Sequence, residues 1–148
     1  MKRLSKFLHL SLAEQALLLE VMFILWLIRI GMWLLPFSVL RLSVAKMTEI
    51  LTALKQISAL SLEKVVWAVA VCSRYVPRAG CLTQALAAQM LFAQQGHASR
   101  IRIGVAKFEP GHLQAHAWLE SHGRVVIGGS ELDKYTPLPL LNECEKGR

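Results

Sequence analysis

Two residues of this sequence could do chemistry together. Cys81 sits in "RAGCLTQALAAQ", residues 78–89, after a glycine and at the start of a run with helical pattern. The first turn of a helix leaves backbone N–H groups unpaired and carries the positive end of the macrodipole. Such a position favours the thiolate, which is the nucleophilic form of cysteine. The same N–H groups can hold the oxyanion that forms when a carbonyl is attacked. Gly80 lets backbone or substrate come close. The competing reading is a cysteine that only packs. His116 lies in "AHAW", in a segment of strand character. A helix packed on a sheet can bring its first residue to a strand's side chain, and a thiol beside an imidazole is an activated nucleophile. The competing reading is a core histidine satisfied by a backbone carbonyl.

Other candidates are weaker. His112 and His116 would share a metal only on a helix; four residues apart on a strand they stand roughly 13 Å from each other. His122 reads as a turn residue, His97 as a loop residue after Gly96, and His9 lies ahead of the first helix cap. No metal and no cofactor are expected. The chain has 3 cysteines and no C-x-x-C pair, which argues against a zinc ribbon. Cys72, within "VVWAVAVCS", reads as a small buried hydrophobe, and Cys144 as an incidental residue of a polar tail. An odd cysteine count without a signal-peptide pattern suits the cytoplasm.

The elements that must position the pair are helical first and stranded last. Ser11 and Glu14 form an S-x-x-E capping box ahead of "LLLEVMFILWLIRIGMWLLP", which Pro36 ends. Glu20 and Arg29 interrupt this apolar stretch, so it reads as a buried or docking helix rather than a membrane span. Trp26 and Trp33 are one heptad apart and could anchor a partner; alternatively this face packs on the protein's own sheet or on the helix at 61–75. "PFSVLRLSVAKM" predicts a shorter second helix, and 49–60 is weakly patterned. Ser61–Tyr75 and Cys81–Gln95 predict two more, the first stopped by Pro77 and the second by Gly96 at C′. The period then changes: "SRIRIGVAKF" alternates, with Ile101, Ile103 and Val105 on one face, and "RVVIGG" returns after a turn at His122–Gly123.

The 148 residues suit one domain, or one domain with an attached helical segment. The composition is 54% hydrophobic, and the net charge is +7. Those charges form no Lys/Arg run or aromatic-interleaved basic patch, which argues against nucleic-acid binding. A basic, greasy chain could still meet an acidic peptide or an anionic lipid surface.

The blocks "VPRAGCLTQALAAQMLFAQQGHASRIRIGV", "AHAWLESHGRVVIGG" and "YTPL", in this order and spacing, resemble the leader peptidase, or B protein, of lasso peptide biosynthesis. The likeness covers nearly all of residues 60–140, and the apolar N-terminal helix also looks like that family's. It implies an α+β fold: a helical segment, 1–60, then a transglutaminase-like, papain-related cysteine peptidase domain, 61–148, with a small antiparallel sheet packed on helices. It implies Cys81 as nucleophile and His116 as general base. The implied substrate is a ribosomally made precursor peptide that loses its leader before a macrolactam-forming cyclase closes the ring. Residues 1–60 read as helices rather than as a leader-recognition domain, so the resemblance is to the split form served by a separate recognition protein. That family often carries an acidic third residue on the strand after the histidine. A simple hairpin here pairs Trp118 with Ile127 and His116 with Gly129, or with Gly128 after a shift of one. The group orienting His116 is then a backbone carbonyl or comes from elsewhere, Asp133 first and Glu131 second. Glu120 and Trp118 are candidates for contact with peptide or partner; for Glu120 the alternative is a solvated strand-end carboxylate. Other readings of the same residues are an acyltransferase, a non-catalytic binding module and a membrane-associated helical adaptor.

Overall fold

A computed structural model describes residues 9–54, 61–108 and 111–138. Cys144 lies outside them. The fold is α+β. Among the described residues four helices, α1 (Leu12–Leu34), α2 (Phe37–Leu54), α3 (Leu62–Ser73) and α4 (Cys81–Gln94), precede the strands β1 (Ser99–Phe108), β2 (His112–Ser121) and β3 (Arg124–Ile127). A 3-10 turn, Leu132–Lys134, then leads to a two-residue strand β4 (Thr136–Pro137). The sheet is antiparallel, in the order β3-β2-β1-β4.

Local chemistry accounts for most boundaries. Ser11 Oγ accepts the Glu14 N–H at 3.3 Å, and Glu14 returns the bond to the Ser11 N–H at 3.1 Å. Lys64 of α3 reaches the same carboxylate at 3.0 Å. This bond, followed by those to Ser11, holds the Glu14 carboxyl below its ordinary range. Ser61 caps α3 through the Lys64 N–H. α3 stops at Ser73, two residues before the expected Tyr75. At the end of α4, Gly96 takes φ +78° while its N–H donates to Ala93 and that of His97 to Phe92. That double bond is the Schellman arrangement, in which glycine at C′ satisfies the last carbonyls. α2 is longer than its sequence suggested, continuing to Leu54 through the first part of the weakly patterned stretch.

α4 is the centre of the molecule. Ala85, Ala87, Ala88 and Phe92 are wholly buried, and α1, α2, α3 and the sheet all pack around the helix. A helix apolar on every side belongs in the interior, and its alanines let neighbours approach. Burying Phe92 contributes roughly 2–3 kcal/mol; enlarging Ala88 would overpack the centre at a cost of about 1–3 kcal/mol. α1 runs antiparallel to α4. Gln94 donates to Glu20 at 2.9 Å near one end, and the Thr83 hydroxyl meets the Met32 sulfur at 3.4 Å near the other. The core face of α1 is Leu17, Leu18, Val21, Ile24, Leu25 and Ile28. One core cluster therefore contains residues from both sides of position 60.

On the sheet, Leu119 and Ile127 join that core, with Ile101 packed against it. Ile103 and Val105 are only half-buried; Gly104 and Ala106 are buried instead. The cause is Trp118, whose ring lies over Gly104.

Candidate active site

Cys81 is the first residue of α4, with Gly80 as N-cap and no side-chain cap. A Cβ placed on Gly80 would meet nothing within 4 Å, so the approach to the helix start is open. The first-turn N–H groups, which have no intrahelical partner, face this side.

The sheet brings His116 here. His122 and Gly123, at φ 51° and 75°, make the two-residue hairpin turn read from the sequence. The register differs from the simple one. Glu120 pairs with Val125, but Leu119 pairs with Ile127, leaving Val126 as an extra residue in a β-bulge. Ile127 thus faces Leu119 rather than Trp118, and β3 ends there. Beyond that point β3 no longer covers the edge of β2, and Cys81 fills the gap. The Ala117 N–H donates to its Sγ at 3.4 Å. The thiol is thereby fixed against the backbone adjoining His116.

The His116 ring has its own partner on the same side: Nε2 lies 2.8 Å from the Gly128 carbonyl oxygen. A carbonyl only accepts, so Nε2 carries a proton, and in the neutral tautomer that fits this bond Nδ1 has the lone pair. Gly128 reaches this place at φ +78°, and a Cβ there would stand 2.8 Å from the Ala117 oxygen. The ring is also held by aromatics, with Trp118 stacked at 6.3 Å and Tyr135 tilted at 5.0 Å between centroids. Gly104, paired with His116 across β1 and β2, makes room for both. A Cβ on it would come within 2.9 Å of the Trp118 ring and 3.0 Å of the Tyr135 Cβ. Trp118 is fixed in turn by its indole N–H, which donates to Glu120 at 2.9 Å. Arg102 approaches the same carboxylate at 3.8 Å through Nε, a buried atom without a hydrogen bond among the described residues.

The sequence candidates fall into three groups. Cys81 is brought to the backbone of Ala117, the residue after His116, while no hydrogen bond joins the Cys81 and His116 side chains among the described residues. Trp118 is buried and Glu120 half-buried, and together they back the histidine ring. Asp133 is exposed on the 3-10 turn, and no hydrogen bond or ion pair joins it to His116 among the described residues. Glu131 instead bonds Lys134 at 2.6 Å, which lowers the carboxyl and raises the amine. The tryptophans of α1 are exposed, Trp26 by 42% and Trp33 by 82%, on the side away from its core face.

Sequence reasoning passed over Tyr135, Gly104 and Arg102. A glycine inside an alternating strand was a usable sign of close approach. Tyr135 stood only within the "YTPL" block, with no role read for it, and it arrives from the far side of the 3-10 turn. His97 and His122 meet at 3.4 Å between ring nitrogens. Among the described residues no group of three or more ligating side chains gathers that could hold a metal ion.

A cysteine at a helix start, a histidine on the adjoining strand and first-turn helix N–H groups are residue types that acyl transfer through a thioester requires. A family model described as the transglutaminase-like superfamily matches residues 24–139. No curated protein and no solved structure matches the chain. Enzymes of this superfamily are commonly of the cysteine protease or acyltransferase kind.

Proposed function

The chain belongs to the transglutaminase-like superfamily, and from that premise we propose that it is a cysteine peptidase that removes the leader from a ribosomally made precursor of the lasso peptide class. The observation that carries the reading is the 3.4 Å bond from the Ala117 N–H to the Cys81 sulfur, which puts a candidate nucleophile beside the histidine strand. The blocks around Cys81 and His116 support the substrate class.

In this reading His116 Nδ1 takes the thiol proton and Cys81 attacks the carbonyl of the last leader residue. The tetrahedral oxyanion is held by N–H groups at the start of α4. The C–N bond breaks as His116 returns the proton to the leaving amine, freeing the core peptide with a new N-terminus. The leader stays on Cys81 as a thioester. Water, deprotonated by His116, then releases it as a carboxylate. The Gly128 carbonyl stabilises the imidazolium that forms in each half, the part an acidic residue plays in many such sites. A separate recognition protein presents the leader, a cyclase consumes the product, and the work takes place in the cytoplasm.

The test is co-expression with the precursor and recognition protein, followed by mass spectrometry of the peptide. Wild type yields free core peptide, and Cys81→Ala yields intact precursor. Cleavage by Cys81→Ala at the wild-type rate would rule out the cysteine mechanism. Transfer of the leader to an added primary amine in preference to water would reassign the chain as an acyltransferase.

A further inference from the structure

The outer face of α1 takes no part in the core or in the chemistry above. Leu19, Phe23, Trp26, Ile30 and Trp33 stand along it, each at least 42% exposed. They follow one another at intervals of four and three residues, so they form a single stripe about four turns long. α2 continues the surface with exposed Phe37, Val39 and Leu42. A patch of this extent is larger than a monomer ordinarily leaves to water.

The stripe's chemistry distinguishes among possible occupants. A partner helix in a coiled coil would want aliphatic residues in the seam and charged ones flanking it. Here three of the five seam residues are aromatic, and its flanks include exposed Leu27 and Leu34. α1 has two carboxylates, and both are engaged elsewhere: Glu14 with Lys64 and Glu20 with Gln94. The neighbouring sequence is basic, with Lys2, Arg3 and Lys6 ahead of the helix and Lys46 after it, on a chain of net charge +7. Apolar, aromatic and cationic together are the marks of a helix lying in a lipid interface, where indole rings sit at headgroup depth. α1 also has the length and hydropathy to cross a bilayer. Its other side, however, is packed against α3 and α4 inside the folded domain.

We propose that this face of α1, with the start of α2, rests flat on an anionic lipid bilayer and holds the protein at the membrane surface without spanning it. The Met32–Thr83 contact ties the Trp33 end of α1 to the first turn of α4, so the candidate active site lies toward the Trp33 end of the helix pair. The proposal is independent of the reaction that Cys81 performs.

The experiment is sedimentation of the full chain with vesicles of phosphatidylcholine alone or mixed with phosphatidylglycerol. The protein is expected to pellet with the mixed vesicles, to be released by high salt or alkaline carbonate, and to show tryptophan quenching by lipids brominated near the headgroup. Phe23→Glu with Ile30→Glu should weaken partitioning about tenfold or more while circular dichroism stays unchanged. If that variant does not fold, the wild-type quenching decides. Three results would overturn the proposal: protein that stays in the supernatant with both vesicles, a salt-stable dimer in solution that the same variant dissolves, or a pellet released only by detergent.

Discussion

Cys72 and Cys81 lie on consecutive helices, and their sulfurs make opposite hydrogen bonds. Cys72, in the last turn of α3, points its S–H at the Leu18 carbonyl at 3.4 Å. It is buried, and burial pushes its thiol up to about 11. Cys81 accepts a bond from a backbone N–H at a half-buried helix start. A carbonyl partner and an apolar shell favour the neutral thiol of Cys72; the Cys81 sulfur is instead a hydrogen-bond acceptor at a helix start. These two cysteines of one chain thus have different surroundings: Cys72 is packed in the core, and Cys81 stands half-buried at a helix start.

The largest effect expected from that contrast is chemical. Iodoacetamide added to the native protein at neutral pH should label Cys81 and leave Cys72 untouched, at rates at least about 100-fold apart. Peptide mapping reads this directly, and equal labelling would erase the distinction between the two thiols.

Next is the histidine. His116→Ala should lower precursor cleavage by roughly 10²–10⁴-fold, while the melting temperature changes little. A variant that keeps full activity would return His116 to the role of a packed core residue.

How much of this could be read in advance depended on the range of the interaction. The Ser11–Glu14 box, Gly96 and the His122–Gly123 turn are written within a few adjacent residues, and each was legible. The approach of Cys81 to the strand that carries His116 was legible as a possibility, because a helix start and a strand in succession tend to pack. The bulge at Val126 was not: three apolar β-formers followed by two glycines fit either register. With the bulge unseen, only the choice between a carbonyl and a carboxylate for His116 could be framed. Tyr135 and the Arg102–Glu120–Trp118 chain depend on which strands become neighbours, and no local pattern states that.

The smaller predictions probe these supports. Gly128→Ala forces a side chain into the left-handed region and against the Ala117 oxygen. It should cost about 1–3 kcal/mol by denaturant titration and depress activity more than stability predicts. Cys72→Ala should cost about 1–2 kcal/mol with turnover of the folded enzyme unchanged; a proportional loss of activity would mean that Cys72 is more than packing. Glu14→Gln should have the mildest effect. The folded Glu14 carboxyl is held below its ordinary value, so its stabilisation is present above that value and is lost as pH falls through the lowered one. The variant should be slightly less stable at neutral pH and equal to wild type in strong acid, which thermal melts across pH will show.

The most direct test of the account is to catch the intermediate. Wild-type protein mixed with precursor and recognition protein, quenched in acid within the first turnover and examined by intact-mass and peptide mapping, should carry the leader as a thioester on Cys81, with the core peptide already free. Core peptide released with no adduct on Cys81, or with the adduct on another residue, would contradict it.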